Sequence, residues 1–184
     1  VEKNVYSGVS NLLANEPLED LMQDEFEKLG PVIFDKDDKD FANKIRSTLN
    51  ESDILDSFQR IGMKAPLDMP LCDFVASLNN ESNGGIGSTD VGDVSWVVPT
   101  VQARVATCAV GTPFHTWQTV AQGKAPAAHK GMIHAAKIMA ATASSLIKNP
   151  QKLDNAKKAF KSQVKENPYV CPIPNGVMPP IVKE

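Results

Sequence analysis

The chain has 184 residues, of which 42% are hydrophobic and 22% charged, ordinary proportions for a globular protein with a proper core and no cue to disorder. Its net charge is −3 and its basic residues are dispersed, which excludes the basic stripe that tracks a nucleic-acid backbone. No apolar run approaches the ~20 residues needed to cross a bilayer, and the start VEKNVYSGV lacks a signal-peptide pattern, so neither nucleic acid nor membrane is expected as a partner and the expected location is cytoplasmic.

Residues 4–13 alternate loosely and read as an extended segment that must find a partner strand elsewhere. A helix is expected from about Pro17, with Leu18, Leu21, Met22, Phe26 and Leu29 on one face and Gly30-Pro31 as its stop. A second is expected over 38–49, with Phe41, Ile45 and Leu49 inward and Asp37 or Asp38 as cap. A third, over 52–60, places Ile54, Leu55 and Phe58 inward. From Gly62 to Ser88 the pattern dissolves into Pro, Asn and Gly, a loop long enough to be functional or mobile.

Residues 94–98 and 101–110 are rich in β-branched side chains and separated by Pro99, which predicts two buried strands or one broken strand. A turn follows Gly111. The clearest helix begins after Pro126, where Met132, Ala136, Met139, Ala143 and Leu146 recur at spacings of four and three. Its apolar, small-residue character predicts packing against a sheet. A last helix is expected over 150–165, ahead of an extended tail containing PYVCPIP. Strands between helices predict an α/β fold, a sheet flanked by helices.

Cys72, Cys108 and Cys171 are odd in number, far apart and in no C-x-x-C arrangement, which argues against a disulfide framework or a structural zinc knuckle. Cys108, in VATCAVG, reads as a buried small hydrophobe.

The chemistry concentrates between Gly87 and Ala141, which holds Asp90, Asp93 and all three histidines. Carboxylates and imidazoles at the ends of regular elements are what a metal-assisted hydrolytic site needs. His129 and His134 are five apart, so about 140° separates them around a helix and they cannot bind one ion as an H-x-x-x-H pair would. His129, at the helix start in line with the apolar face, reads as a neutral metal ligand or as a hydrogen-bonded histidine. His134 reads as structural or surface. His115, in a turn beside Trp117, suits binding of a substrate carboxylate or stacking on that ring. Asp90 and Asp93 suit orienting a histidine, binding metal, or merely capping the strand. GGIGSTDVG has the spacing of neither a dinucleotide nor a P-loop motif, and Ser88 sits in no G-x-S-x-G elbow.

STDVGDVSWVVPT, GTPFHTWQ, AHKGM and PYVCPIP resemble the C-terminal part of the M20 family of zinc-type metallopeptidases, in its amidohydrolase branch. The resemblance runs through nearly the whole chain and is most specific between Ser88 and Ala141. It implies part of a zinc-peptidase-like catalytic α/β domain. Residues 1–15 would be the end of a lid or dimerisation domain, and 16–184 the C-terminal part of the catalytic domain. It further implies two divalent metals, Zn or Mn, and cleavage of an amide bond in an N-acyl amino acid or aminobenzoyl-glutamate-like substrate. His129 matches the family's last metal ligand. The resemblance implies that Asp90, Asp93, His115 and Thr112 orient a metal ligand or contact substrate, although Thr89-Asp90 stands where many relatives carry an acidic pair.

Relatives take most ligands and the general base from an N-terminal half with a Cys-x-His pair and a Glu-Glu pair. Here no Cys is followed two residues later by His, and no Glu-Glu occurs. One imidazole cannot hold a catalytic zinc, which needs three protein ligands. The chain alone is therefore expected to contain no catalytic residue and to be inactive, and to work only with the missing N-terminal half as partner, in a homo- or hetero-oligomer. The alternative is a non-catalytic fragment or interaction module that retains the fold.

Overall fold

The structure, a computed structural model, describes residues 4–59, 67–78 and 89–178. Among these residues it is helical: α1 (Glu16–Leu29), α2 (Lys36–Arg46), α3 (Glu51–Gln59), α4 (Val91–Ser95), α5 (Trp117–Gln122), α6 (Pro126–Lys148) and α7 (Pro150–Glu166). The expected α/β sheet is absent among the described residues. Residues 94–98 do not form a strand, because α4 and its closing turn take them up. The 101–110 segment is free of helix, but its described backbone enters no ladder. β-branched residues favour an extended backbone; a strand also requires a neighbour to exchange hydrogen bonds with.

The chain divides into two compact units. One comprises residues 1–19, 86–102 and 149–184, the other 20–85 and 103–148.

In the first unit the extended segment 4–15 finds side chains where a partner strand was expected. Ser10 N and Oγ donate to Asp93, Leu13 N donates to Ser95 Oγ at 2.7 Å, and Trp96 Nε1 donates to the Asn11 carbonyl at 2.8 Å. Gly92 makes this fit possible, since a Cβ there would lie 1.9 Å from the Ser10 carbonyl oxygen. Asn15, fully buried, accepts from Leu18 N through Oδ1 at the start of α1 and donates through Nδ2 to the Ala156 carbonyl in α7, so a single side chain both caps one helix and fastens another.

In the second unit the core gathers Val32, Phe34, Ala42, Ile45, Leu71, Ala109 and Ala127, with Val105 and Ala106 packed against it. The helix expected over 38–49 is α2, which starts earlier because Asp35, rather than Asp37 or Asp38, is its cap. Asp35 and Asp38 exchange hydrogen bonds in a capping box. Gly30 ends α1 as expected, at φ +71° with its N–H on the Phe26 carbonyl. The third expected helix is α3, with Ile54 and Phe58 buried and Leu55, expected inward, 38% exposed; Arg60 and most of the expected 62–88 loop lie outside the described residues.

α6 packs differently from expectation. Its buried side carries Ala127, Gly131, Ile138 and Thr142. Met132, Ile133, Met139 and Ile147, the face expected to lie on a sheet, are each more than half exposed. Apolar periodicity identified the helix but not which of its two apolar sides is occupied. The choice is made by Gly131, where a Cβ would stand 2.2 Å from the Ala106 carbonyl oxygen, so only a glycine allows the extended 101–110 backbone so close to the helix.

Candidate functional site

Residues 109–131 form a continuous turn, short helix and helix start that carries Thr112, His115 and His129. Gln122 holds the first part together. Its Oε1 accepts from Ala109 N at 2.7 Å, and its Nε2 donates at 3.0 Å both to Thr112 Oγ1 and to the Gln118 carbonyl. Thr112 Oγ1 in turn donates to the Ala109 carbonyl at 2.6 Å. Gln122 is buried, so these bonds satisfy a side chain that burial would otherwise penalise. Sequence reasoning passed over it because a glutamine near a helix end has no pattern of its own; its place between the apolar Val120-Ala121 and Gly123 was the only signal.

Thr116 caps α5, with its side chain accepting from Thr119 N. The preceding residue, His115, is exposed and sits at φ +63°, the one described non-glycine residue with positive φ. A side chain in that region is held there by its surroundings at a cost. Trp117, Phe114 and Val120 beside it are also mostly exposed.

His129 lies in the first turn of α6, its N–H bonded to the Ala125 carbonyl at 3.3 Å, and its side chain is exposed. It shares a face with Met132 and Ala136, as its spacing predicts, but that face looks outward. The next residue, Lys130, turns the other way and bridges to Asp35 at 2.6 Å and to the buried Asp38, which ties the start of α6 to the start of α2. The lysine holds the Asp35 carboxyl below the usual carboxylate range. His134 is half-buried against the Phe26 ring, centroids 6.4 Å apart, and its Nε2 is buried without a hydrogen-bond partner among the described residues.

Asp90 and Asp93 belong to the other unit. Asp90 precedes α4, is exposed and makes no capping bond with its side chain. Asp93 is engaged on three sides. Its Oδ1 accepts from Ser10 Oγ at 2.8 Å and from Tyr169 Oη at 2.9 Å, and its Oδ2 accepts from Ser10 N at 3.4 Å. The Ser10 hydroxyl, helped by Tyr169, holds its carboxyl below the ordinary value. The hydrogen bond from Tyr169 to Asp93 pushes the Tyr169 phenol up to about 12. The structure thus brings Asp93 together with Ser10 and Tyr169, a set that sequence spacing could not reveal because the three are scattered along the chain.

Among the described residues, no three His, Cys, Asp or Glu side chains gather closely enough to hold a metal ion. The described thiols of Cys72, Cys108 and Cys171 are unpaired, and burial pushes the first two up. No described helix is long and apolar enough to cross a membrane.

No family model and no solved structure matches the chain. The chain is similar to a p-aminobenzoyl-glutamate hydrolase subunit from Escherichia coli (strain K12), with 35% identity over 193 aligned positions. That match takes in 100% of this chain but 40% of the hydrolase polypeptide, so the chain spans about two fifths of the length of the relative to which it is related.

Proposed function

We propose that the chain is part of a metal-dependent amidohydrolase in the amidohydrolase branch of the M20 family, acting on the amide bond of an N-acyl amino acid or a p-aminobenzoyl-glutamate-like substrate. The observation that carries this reading is the 35% identity to the hydrolase subunit across the whole chain. In it, residues 1–15 end a lid domain and the rest belongs to a catalytic domain that works in a reducing, cytoplasmic setting, in keeping with the unpaired thiols.

The described residues do not by themselves fit a catalytic zinc or manganese, since three protein ligands are needed and no group of three donors forms among them. His129 is the donor this chain offers, an exposed imidazole on a helix start anchored by Lys130. The remaining donors and the base then lie outside the described residues, in keeping with a relative of which this chain spans 40%. Thr112 and His115, on the turn that Gln122 fixes, are the candidates for contacting substrate. Asp93, with both oxygens engaged by Ser10 and Tyr169, fastens its own unit, in which Asp90 is exposed.

The test uses the chain alone and a chimera in which it replaces the matching part of the E. coli subunit, assayed for release of p-aminobenzoate from p-aminobenzoyl-glutamate and for bound zinc and manganese. The chain alone is expected to be inactive. In an active chimera, His129→Ala should lower both activity and metal content by at least about tenfold. Unchanged metal content in that variant would remove His129 from the site. A chimera that folds, binds metal and hydrolyses nothing would favour the second reading, a non-catalytic interaction module.

A further inference from the structure

The turn that carries His115 has its hydrogen bonds fixed in one direction, and a single backbone group decides which. The Ala109 N–H can only donate, so the oxygen of the Gln122 amide, not its nitrogen, faces it at 2.7 Å. Gln122 Nε2 therefore points the other way, and its two protons go to the Gln118 carbonyl and to Thr112 Oγ1, each at 3.0 Å. Since Thr112 Oγ1 receives there, its own proton goes to the Ala109 carbonyl at 2.6 Å. Thr116 and Thr119 follow the same rule, both hydroxyls donating inward to the Pro113 carbonyl at 2.7 Å. A threonine hydroxyl has one proton and two lone pairs. At Thr112 the proton and one lone pair are spent, and the buried Gln122 keeps them so. The second lone pair has no strong donor among the described residues; the thiol of Cys108 stands beside it and is a weak donor. Thr112 is half-buried, next to the exposed tip formed by Phe114 and His115.

We propose that Thr112 is a specificity-determining residue that accepts a hydrogen bond from an uncharged N–H of the ligand, with Gln122 as the residue that positions it. A carboxylate does not suit this hydroxyl, because donating to one means giving up the Ala109 carbonyl and disturbing a network whose buried members have no replacement. An N–H suits it, since nothing inside the turn has to break. The compound in the relative's name supplies two such groups, for p-aminobenzoyl-glutamate has an amide N–H and an arylamine. The proposal rests on the amidohydrolase reading for placing Thr112 against substrate, and on the hydrogen-bond network for the polarity of the contact.

The experiment reads binding in the chimera with the rest of the E. coli subunit, kept free of divalent metal by a chelator so that nothing is cleaved. Three ligands are titrated by calorimetry: p-aminobenzoyl-glutamate, its ester counterpart with oxygen in place of the amide N–H, and benzoyl-glutamate, which lacks the arylamine. The unmodified chimera should bind the first about tenfold tighter than one of the other two, the equivalent of one ordinary hydrogen bond. A weak ester names the amide N–H as the donor, and weak benzoyl-glutamate the arylamine. Thr112→Val should lose that preference and Thr112→Ser keep it. If the valine variant does not fold, Thr112→Cys leaves a weaker acceptor in place and should cut the preference by at least about threefold. Equal binding of all three ligands by the unmodified chimera, no binding of any, or a preference that survives these two changes overturns the proposal. An equal loss across the three ligands in Thr112→Val does so too, since the hydroxyl then only holds the turn. A metal-loaded chimera that hydrolyses p-aminobenzoyl-glutamate yet shows no preference sinks the role of Thr112 and keeps the amidohydrolase reading; a preference removed by Thr112→Val without hydrolysis does the reverse.

Discussion

A methyl group on Gly131 would meet the carbonyl oxygen of Ala106 at 2.2 Å, so the start of α6 rests directly on the 101–110 backbone. Gly131→Ala raises helix propensity by about 1 kcal/mol but forces the helix off that backbone, and overpacking costs about 1–3 kcal/mol or more. The variant should be less stable in chemical denaturation than the parent, and a more stable one would mean that the close approach is not real.

Gln122→Ala removes the acceptor of the Ala109 N–H and both bonds made by its own amide. Leaving a buried donor unsatisfied costs about 1–3 kcal/mol. The midpoint of urea unfolding should fall accordingly, and amide exchange at Ala109 should accelerate; unchanged exchange there would contradict the geometry.

The Asp93 cluster should shape both limbs of the pH profile. Because the folded carboxyl is held low by Ser10, its stabilisation is complete above the free-aspartate range near 4 and is lost as pH falls through that range and below it. Tyr169, raised to about 12 by Asp93, behaves oppositely: its contribution is whole below about pH 10 and disappears as pH climbs toward the folded value. Asp93→Asn should flatten the acid limb of a plot of melting temperature against pH, and Tyr169→Phe the alkaline limb. Limbs that keep the parent slope would show that the contacts do not persist in solution.

His134 buries Nε2 beside Phe26 without a hydrogen bond among the described residues. Exchange for a similarly sized apolar residue, His134→Leu, removes a desolvated polar atom that costs about 1–3 kcal/mol. The variant should be as stable as the parent or more so; strong destabilisation would reveal a partner for that nitrogen.

His115→Gly should relieve backbone strain of about 1 kcal/mol or more at φ +63° and raise the melting temperature. If the strained histidine serves substrate, the same change lowers p-aminobenzoate release in the active chimera, with a rise in KM. Loss of stability in place of a gain would mean that the imidazole is held by contacts worth more than the strain.

The helices were legible where capping and periodicity agreed. Pro126 and Pro150 open α6 and α7 as expected, and Gly30 closes α1. The strands were misread because valine-rich runs at 94–98 and 101–110 report a preference for extended or packed backbone, whereas a sheet depends on a distant neighbour that composition cannot announce. The rotation of α6 was misread for a related reason: both sides are apolar, and the deciding feature is one missing Cβ at Gly131. His129 was correctly placed on the Met132 side, but whether that side faces inward depends on what covers it. Asp93 was legible as a polar residue of note and not as the partner of Ser10 and Tyr169, since hydrogen bonds between remote segments leave no spacing to read.

The unit fastened by Asn15 and Asp93 is assembled from three separate stretches of chain, and the bond from Asn15 to Ala156 spans 141 positions. Such distant contacts are slow to form because a long loop must close before any of them contributes. On a ribosome, the segment around Ser10 is made well before Tyr169 and has no complete set of partners until that residue follows, whereas the capping box of α2 can form as soon as its own turn appears. The segment around Ser10 is therefore among the last parts of its unit to settle, and it is where a chaperone or a protease would meet this polypeptide during its synthesis.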